Sequence, residues 1–347
     1  MQKWINNITL LLMFLASLHF AASAVAQDSV ERPKGMRWPG EGGKTVDISV
    51  GIILIDFARI NIREEAFDMA GYLDTSWTDP SLTLREGEPT EGVRRFKPGQ
   101  IWAPELEFVN AVEQVKAERE GDLYVSDNGQ VTQRVRFSHR FQSPLNLQRF
   151  PFDEQTLTIV VAPFDTFARD LNLVVDEKRV GSLEEASVTD WSIEHVGARV
   201  VSAPSGDSAD KRFLFEIKIA RRSTFYIWRV LVPMTLLVLA SWTVFWFEVK
   251  NLQPQISTGL AILLSLVTFN YAIDFSLPKV PYLTFIDRYI LTCFAFVLSD
   301  TFAIAAIHLA LLRRGEAMAS RLQRIARWTF VPVFIIAIVI LAITSLC

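Results

Sequence analysis

Metal and covalent chemistry need particular side chains at particular spacings, and this chain offers few of them. Its four histidines (His19, His139, His195, His308) and two cysteines (Cys293, Cys347) stand far apart, with no Cys-x-x-Cys and no ligand spacing, so no metal site is expected. Gly-x-Ser-x-Gly, His-Glu-x-x-His and Gly-rich phosphate loops are all missing from the sequence. No catalytic residue is therefore nominated, no cofactor is expected, and an enzyme reading has nothing to rest on. The spacing that does point to chemistry is non-covalent. From Gln253, steps of four, four, three, four and three residues reach Ser257, Ala261, Leu264, Thr268 and Tyr271, which share one face of a helix. Small and hydroxylated side chains in such a row suit a water-filled ion path, and Leu264 at mid-depth suits a constriction that closes by dewetting. Ile256, Leu260, Leu263, Val267 and Phe269 are assigned to the opposite side. The same stripe would equally suit close packing between membrane helices, and periodicity does not choose between the two.

The elements that must carry this stripe follow from composition. Half of the 347 residues are hydrophobic and 21% are charged, too apolar for a soluble protein of this size and too charged for one wholly in lipid. The average hides a division: residues 27–222 hold 25 Lys+Arg against 33 Asp+Glu, while residues 223–347 hold 9 against 5. No basic stripe exists for phosphates, so nucleic acid is not a partner. Lys3, the apolar run Ile8–Ala22 and the small-x-small triplet Ala24-Val25-Ala26 read as a signal peptide over 1–26. Residues 27–222 then form an exported domain without a disulfide framework, stable through its core alone.

That domain reads as strands. In Val131–Phe141, Val131, Val135, Phe137 and Phe141 face one way and Arg134, Arg136 and Arg140 the other; Arg212–Ala220 puts Phe213, Phe215, Ile217 and Ile219 inward. Thr45–Phe57, Ala66–Trp77 and Thr156–Val161 are further β-rich runs, with turn signals at Asp127-Asn128-Gly129 and Pro204-Ser205-Gly206-Asp207. The expected fold is an all-β immunoglobulin-like sandwich. Four apolar spans follow, at about 225–247, 254–275, 285–312 and 328–346, each near the ~20 residues that cross a ~30 Å hydrocarbon core. The link 313–327 carries five arginines and one acid, Glu316. Positive-inside bias puts it in the cytoplasm and returns the C-terminus to the side of the exported domain.

Several short motifs carry a resemblance. Phe150-Pro151-Phe152-Asp153 with Gln155-Thr156, preceded by Ser143-Pro144 and Leu147, resembles the signature loop of the pentameric ligand-gated ion channels, the Cys-loop receptor superfamily. Trp102-Ala103-Pro104-Glu105 and Trp77-Thr78-Asp79 are similar to two further elements of that family. Pro233 matches the proline of its first membrane helix, and Leu277-Pro278-Lys279-Val280-Pro281-Tyr282 its linker after the pore helix. The order is the family's, and the elements cover nearly all of 27–347. Ser143 and Leu157 stand where the family has its cystine. The missing disulfide and the short cytoplasmic link resemble the prokaryotic branch, above all its proton-gated bacterial members.

The resemblance implies a homopentamer, each chain with four identical neighbours around a central pore, in a bacterial inner membrane with the sandwich and C-terminus on the periplasmic side. It implies that the stripe faces the axis with Leu264 as hydrophobic gate. Membrane lipid, permeating monovalent ions and either protons or a small-molecule agonist are the other expected partners. Asp153 and Arg221 occupy positions that the family pairs electrostatically, as a coupling device or a purely structural bridge, pressing on the linker at Pro278 and Lys279. Asp56, closing the run Gly51–Asp56, stands where proton-gated relatives have an acid. Phe164 and Phe167 are the ligand-site candidates; the loop Val196–Lys211 has no aromatic residue, which disfavours an amine agonist. Gln253 stands where cation channels of the family carry an acidic ring. The acidic domain favours cations by field focusing, while an anion channel and a non-conducting receptor remain as alternatives.

Overall fold

Alternating side chains give each strand an apolar face to bury, and two sheets pressed together satisfy all of them. The structure, a computed structural model, describes residues 38–40, 45–84, 92–112, 121–164, 171–183, 190–202, 211–274 and 279–346. The expected signal peptide and the turn at 204–207 lie outside these residues. One sheet runs β3 (Arg94–Phe96), β5 (Leu123–Val125), β6 (Gln130–Gln142), β2 (Ala66–Thr78), β1 (Val46–Asn61) and β8 (Leu171–Val175), with β9 (Gly181–Ser182) also on β1. The other runs β10 (Trp191–Ser202), β11 (Lys211–Arg221), β7 (Glu154–Pro163) and β4 (Leu106–Phe108). Phe213, Phe215, Ile217 and Ile219 are fully buried, as the alternation in β11 predicts, in one core with Ile48, Ile52 and Leu54 of β1. Trp77 and Trp102, from the two Trp motifs, meet edge-on at 5.6 Å in this core.

Two expectations about strand limits are corrected. Asp56 does not end a strand: β1 runs on to Asn61, and Asp56 lies inside it, opposite Ala70, beside a register shift. A bulge of this kind adds a residue without breaking the ladder, so the alternation alone mimics an end. The segment expected as a loop from Val196 is strand as far as Ser202, paired along its length with β11.

Four helices follow: α1 (Thr224–Trp246), α2 (Leu252–Asp274), α3 (Phe285–Arg314) and α4 (Glu316–Leu346). All four are long and apolar enough to cross a membrane. α1 takes a π-helical turn over Ile227–Leu231 just ahead of Pro233, the local adjustment a proline without an N–H asks of a helix. The expected link 313–327 is not a loop. α3 continues to Arg314, Gly315 breaks the helix at φ +86°, and α4 begins at Glu316. Hydropathy marks where lipid begins, while the helix starts three turns earlier.

The turn at Asp127–Gly129 is built as its residues suggest. Asn128 Oδ1 accepts from Ser126 Oγ at 2.6 Å and from the Gln130 amide at 3.1 Å, and Gly129 takes φ +77°. A Cβ there would lie 2.5 Å from the Asp79 carbonyl oxygen. Gly129→Ala should therefore lower stability by about 1–3 kcal/mol, seen as a lower midpoint in thermal unfolding of the detergent-solubilised chain. An unchanged midpoint would contradict the geometry.

Candidate functional site: a polar helix face and its junction with the sandwich

All six stripe residues of α2, Gln253, Ser257, Ala261, Leu264, Thr268 and Tyr271, are exposed on the single chain, Leu264 at 66% and Tyr271 at 69%. Gln255, Gly259 and Leu266 are buried, with Ile262 and Ile273 packed against the subunit's core. At ~100° per residue the buried set lies about half a turn from the stripe. The side opposite the stripe is thus Gln255–Gly259–Ile262–Leu266–Ile273, which corrects the expected assignment. Ile256, Leu260, Leu263 and Val267 form a flank, and Phe269 packs toward the core. An open groove of about 460 Å³, lined by Leu264, Ser265, Thr268, Phe269 and Ala272, runs along the other flank. Gly259 faces α3: a Cβ there would meet Thr301 Oγ1 and the Ile304 Cδ1 methyl at 3.9 Å, an ordinary van der Waals contact.

Deep in the bundle, Ser241 of α1 donates to Asp300 of α3. That contact gives this costly membrane acid a neighbouring-helix partner. At one end of α2, Gln323 Nε2 of α4 donates to the Phe245 and Phe247 carbonyls at 2.9 and 2.7 Å, and Arg327 Nη2 donates to Phe245 O at 2.7 Å. Those carbonyls end α1 and lack helical partners. α4 therefore clamps the turn that leads into α2.

At the other end lies the junction. Arg221 Nε donates to Asp153 Oδ1 at 2.7 Å and Nη2 to Oδ2 at 3.0 Å, with both side chains almost wholly buried. Gln155 Nε2 donates to Asp153 Oδ2 at 2.7 Å, and the Arg221 amide donates to Asp153 O at 3.2 Å. The guanidinium is sandwiched by the Trp191 ring at 4.0 Å and the Phe150 ring at 4.8 Å. Bidentate geometry and two aromatic faces suit arginine and not lysine. From the same loop, the Gln148 carbonyl accepts from the Phe285 amide at 2.9 Å and the Phe150 carbonyl from the Ile286 amide at 3.3 Å. These are orphan amides of the first turn of α3. Thr284 and Asp287 cap that turn reciprocally, and the Tyr282 hydroxyl accepts from the Leu147 amide at 3.0 Å. Ser223 Oγ donates to Pro151 O at 2.8 Å, next to the start of α1. One loop thus grips β11, α1 and α3 together.

A β-sandwich joined through this loop to four apolar helices is the arrangement that known proteins share. Residues 27–223 match the neurotransmitter-gated ion-channel ligand binding domain, and residues 230–325 the neurotransmitter-gated ion-channel transmembrane region. The chain belongs to the neurotransmitter-gated ion-channel family. It is 30% identical, over 94% of its length and 89% of the relative's, to a proton-gated ion channel of Gloeobacter violaceus. It is 26% identical over 81% of its length to pH-sensitive chloride channel 2 of Anopheles gambiae, and 24% identical over 78% to a gamma-aminobutyric acid receptor subunit beta of Caenorhabditis elegans. It spans about half the length of those two animal relatives, 48% and 50%. The family consists of pentameric ligand-gated ion channels and not enzymes, and the chain is a multi-pass membrane protein of that kind.

The other expected site residues are dispersed. Asp56 is exposed on β1 within the sandwich. Phe164 is 68% exposed, which removes it from the core; Phe167 and Pro278 lie outside the described residues. Lys279 reaches Asp274 of α2 at 3.7 Å across an exposed gap, a contact of small energetic weight. Sequence reasoning missed Trp191 and Gln148, and it took Tyr282 only as part of the linker motif. It also missed His139, whose ring sits among Phe108, Phe137 and Phe141 at 5.4–6.1 Å. Its Nδ1 is buried without a partner, and burial holds the imidazole below its ordinary pKa.

Two predictions follow from this geometry. Arg221→Gln leaves Asp153 buried and unpaired, which should cost about 3–5 kcal/mol and lower the thermal midpoint in detergent far more than Arg199→Gln on the exposed Arg199–Glu216 pair. Equal, small shifts would remove the pair from its central place. For His139 the folded pKa is depressed, so between it and the ordinary value near 6.5 the unfolded chain binds more protons. Stability from this group is then full above about 6.5 and is lost as pH falls below it. In thermal unfolding against pH, His139→Phe should flatten that loss; a variant with the wild-type acid slope would dismiss it.

Proposed function

We propose that the chain forms a homopentameric, cation-selective channel in a bacterial inner membrane, and that acid on the sandwich side favours its opening. The observation that carries the pore is the orientation of α2: a face of small and hydroxylated residues exposed on its own subunit, about half a turn from the face that packs. A membrane helix leaves hydroxyl groups facing lipid at a cost, whereas five such faces around an axis line water. Gln253 and Ser257 then lie toward the mouth clamped by α4, Thr268 and Tyr271 toward the sandwich, and five Leu264 side chains form the dewetting constriction between them.

Acid as the stimulus draws support from two relatives, one named proton-gated and the other pH-sensitive. Within this chain, Asp56 is the acid nominated by the resemblance. His139 is a second group whose charging would put a cation among three phenyl rings inside the sandwich that rests on the junction. Cation preference rests on the excess of acids over bases in residues 27–222, which five subunits would concentrate around the entrance. A second reading, anion selectivity, is favoured by the uncharged Gln253 at the inner mouth and by the relative named a chloride channel. Asp153, Arg221 and the linker at Pro278 and Lys279 would carry motion of the sandwich to α2.

The test is current across planar bilayers holding the purified chain under a KCl gradient while the sandwich side is stepped from neutral to acidic pH. Current that appears on acidification and reverses near the K⁺ potential is the expected result; reversal near the Cl⁻ potential establishes the second reading. Leu264→Ser should raise current at neutral pH because a hydroxyl lowers the free energy of the wetted constriction. Unchanged gating in that variant would displace the constriction from Leu264.

A further inference from the structure

α2 runs from Leu252 to Asp274 without a charged residue before its last position, so the stripe carries no charge of its own with which to sort ions. The charges nearest Gln253 in the chain lie in the turn between α1 and α2. Glu248 and Lys250 stand there, both exposed. The Asn251 amide donates to Glu248 O at 3.0 Å and the Leu252 amide to Lys250 O at 3.2 Å, closing the turn. Asn251 Nδ2 donates to Glu248 Oε2 at 3.2 Å, and Gln255 Nε2 of α2 donates to the Glu248 carbonyl at 3.2 Å. Lys250 precedes Gln253 by three residues, so at ~3.8 Å per step their Cα atoms are at most about 11 Å apart. That is close to the ~10 Å Debye length of a solution at about 0.1 M salt.

Lys250 does not stand alone. Its Nζ lies 2.8 Å from Glu316 Oε2, at the start of α4. The hydrogen bond to Glu316 and the attraction of its charge raise the ammonium's pKa and hold it in the charged form. Both side chains are largely exposed, so the pair contributes little to stability. What it changes is the field around the turn. Two carboxylates and one ammonium give this cluster a net charge of −1 in each subunit, whereas Lys250 without its partner would cancel Glu248 outright. The counter-charge comes from a helix that has no part in the stripe. Among the described residues, no ion pair joins Arg313, Arg314, Arg321 or Arg324 to this turn.

We propose that Glu316 is a selectivity-determining residue of the inner mouth: by pairing with Lys250 it leaves Glu248 as the uncompensated charge next to Gln253, and cations are favoured there. The inference rests on the channel reading above. It puts the determinant on α4, outside a stripe whose own Gln253 is uncharged. With Glu316 neutral, five unpaired ammonium groups would face the entrance and repel cations. With Lys250 neutral, five further carboxylates would be released to attract them. With both neutral, Glu248 alone restores the original net charge. The sign of each change follows from charge, whichever ion the unaltered channel prefers.

The test is the reversal potential in planar bilayers under a KCl gradient around about 0.1 M, with Leu264→Ser as the parent so that conduction does not wait on the stimulus. Glu316→Gln should lower the preference for K⁺ over Cl⁻ about fivefold, and Lys250→Gln should raise it by a similar factor. The double variant should return to the parent value. Both shifts should fade at about 1 M salt, where the Debye length falls to ~3 Å; a merely structural bridge would show neither the opposed signs nor the salt dependence. If Glu316→Gln yields no folded protein, the rise in Lys250→Gln decides alone. Conducting variants that keep the parent's reversal potential would overturn the proposal, as would single variants that shift in the same direction or a double variant that keeps either shift. A parent silent at every pH would instead remove the channel reading, and the proposal with it.

Discussion

A buried ion pair is tolerable only when nearly every polar atom it brings out of water is satisfied, and that requirement at Arg221 and Asp153 organises the chain. The carboxylate needs the Arg221 fork, the Gln155 amide and a fixed loop conformation; the guanidinium needs its two aromatic faces. Those partners come from the last strand, the strand beside it and the signature loop. Loosening any of them exposes a charge to an apolar surround. Three residues after Arg221 the chain enters α1 at Thr224, and the loop's own carbonyls close the first turn of α3. Sandwich and bundle are therefore joined where the loop's carbonyls meet the first-turn amides of α3 and Ser223 donates to Pro151 O. The pair is a structural bridge, and in the proposed channel the burial that makes it costly to break would also make its two ends move together.

α2 shows the complementary constraint. It is held to its subunit by a narrow strip of Gln255, Gly259, Ile262, Leu266 and Ile273. Most of the remaining arc is exposed on the subunit, with Leu264 at 66% and Tyr271 at 69%. In the proposed pentamer, copies of the same helix and water would cover this exposed surface. The clamp from α4 holds the turn that leads into α2.

Much of this was legible in the residues. Strict alternation in β6 and β11 gave the buried face residue by residue, because a sheet has no other way to present a period of two. Helix lengths were less legible: Glu316–Arg327 is polar, and a hydropathy scan sees lipid exposure and not backbone hydrogen bonds. The bulge beside Asp56 leaves no mark on composition. The stripe on α2 was visible, but its true opposite face was not, since Ile256, Leu260 and Val267 are as apolar as Leu266 and only packing tells flank from back. At the junction, Thr284 and Asp287 carry a recognisable capping pattern. The acceptors from Gln148 and Phe150 are backbone carbonyls, and Trp191 meets Arg221 from 30 positions away in sequence, so neither has a local signature.

The measurement that bears most directly on the central claim is cysteine accessibility along α2 during current recording. With Cys293 and Cys347 replaced by serine, single cysteines at the six stripe positions and at Gln255, Gly259 and Leu266 would each be exposed to a charged, water-soluble thiol reagent. The account predicts that current is modified at stripe positions and is untouched at the other three. Modification with no helical period, or modification confined to Gln255, Gly259 and Leu266, would contradict it.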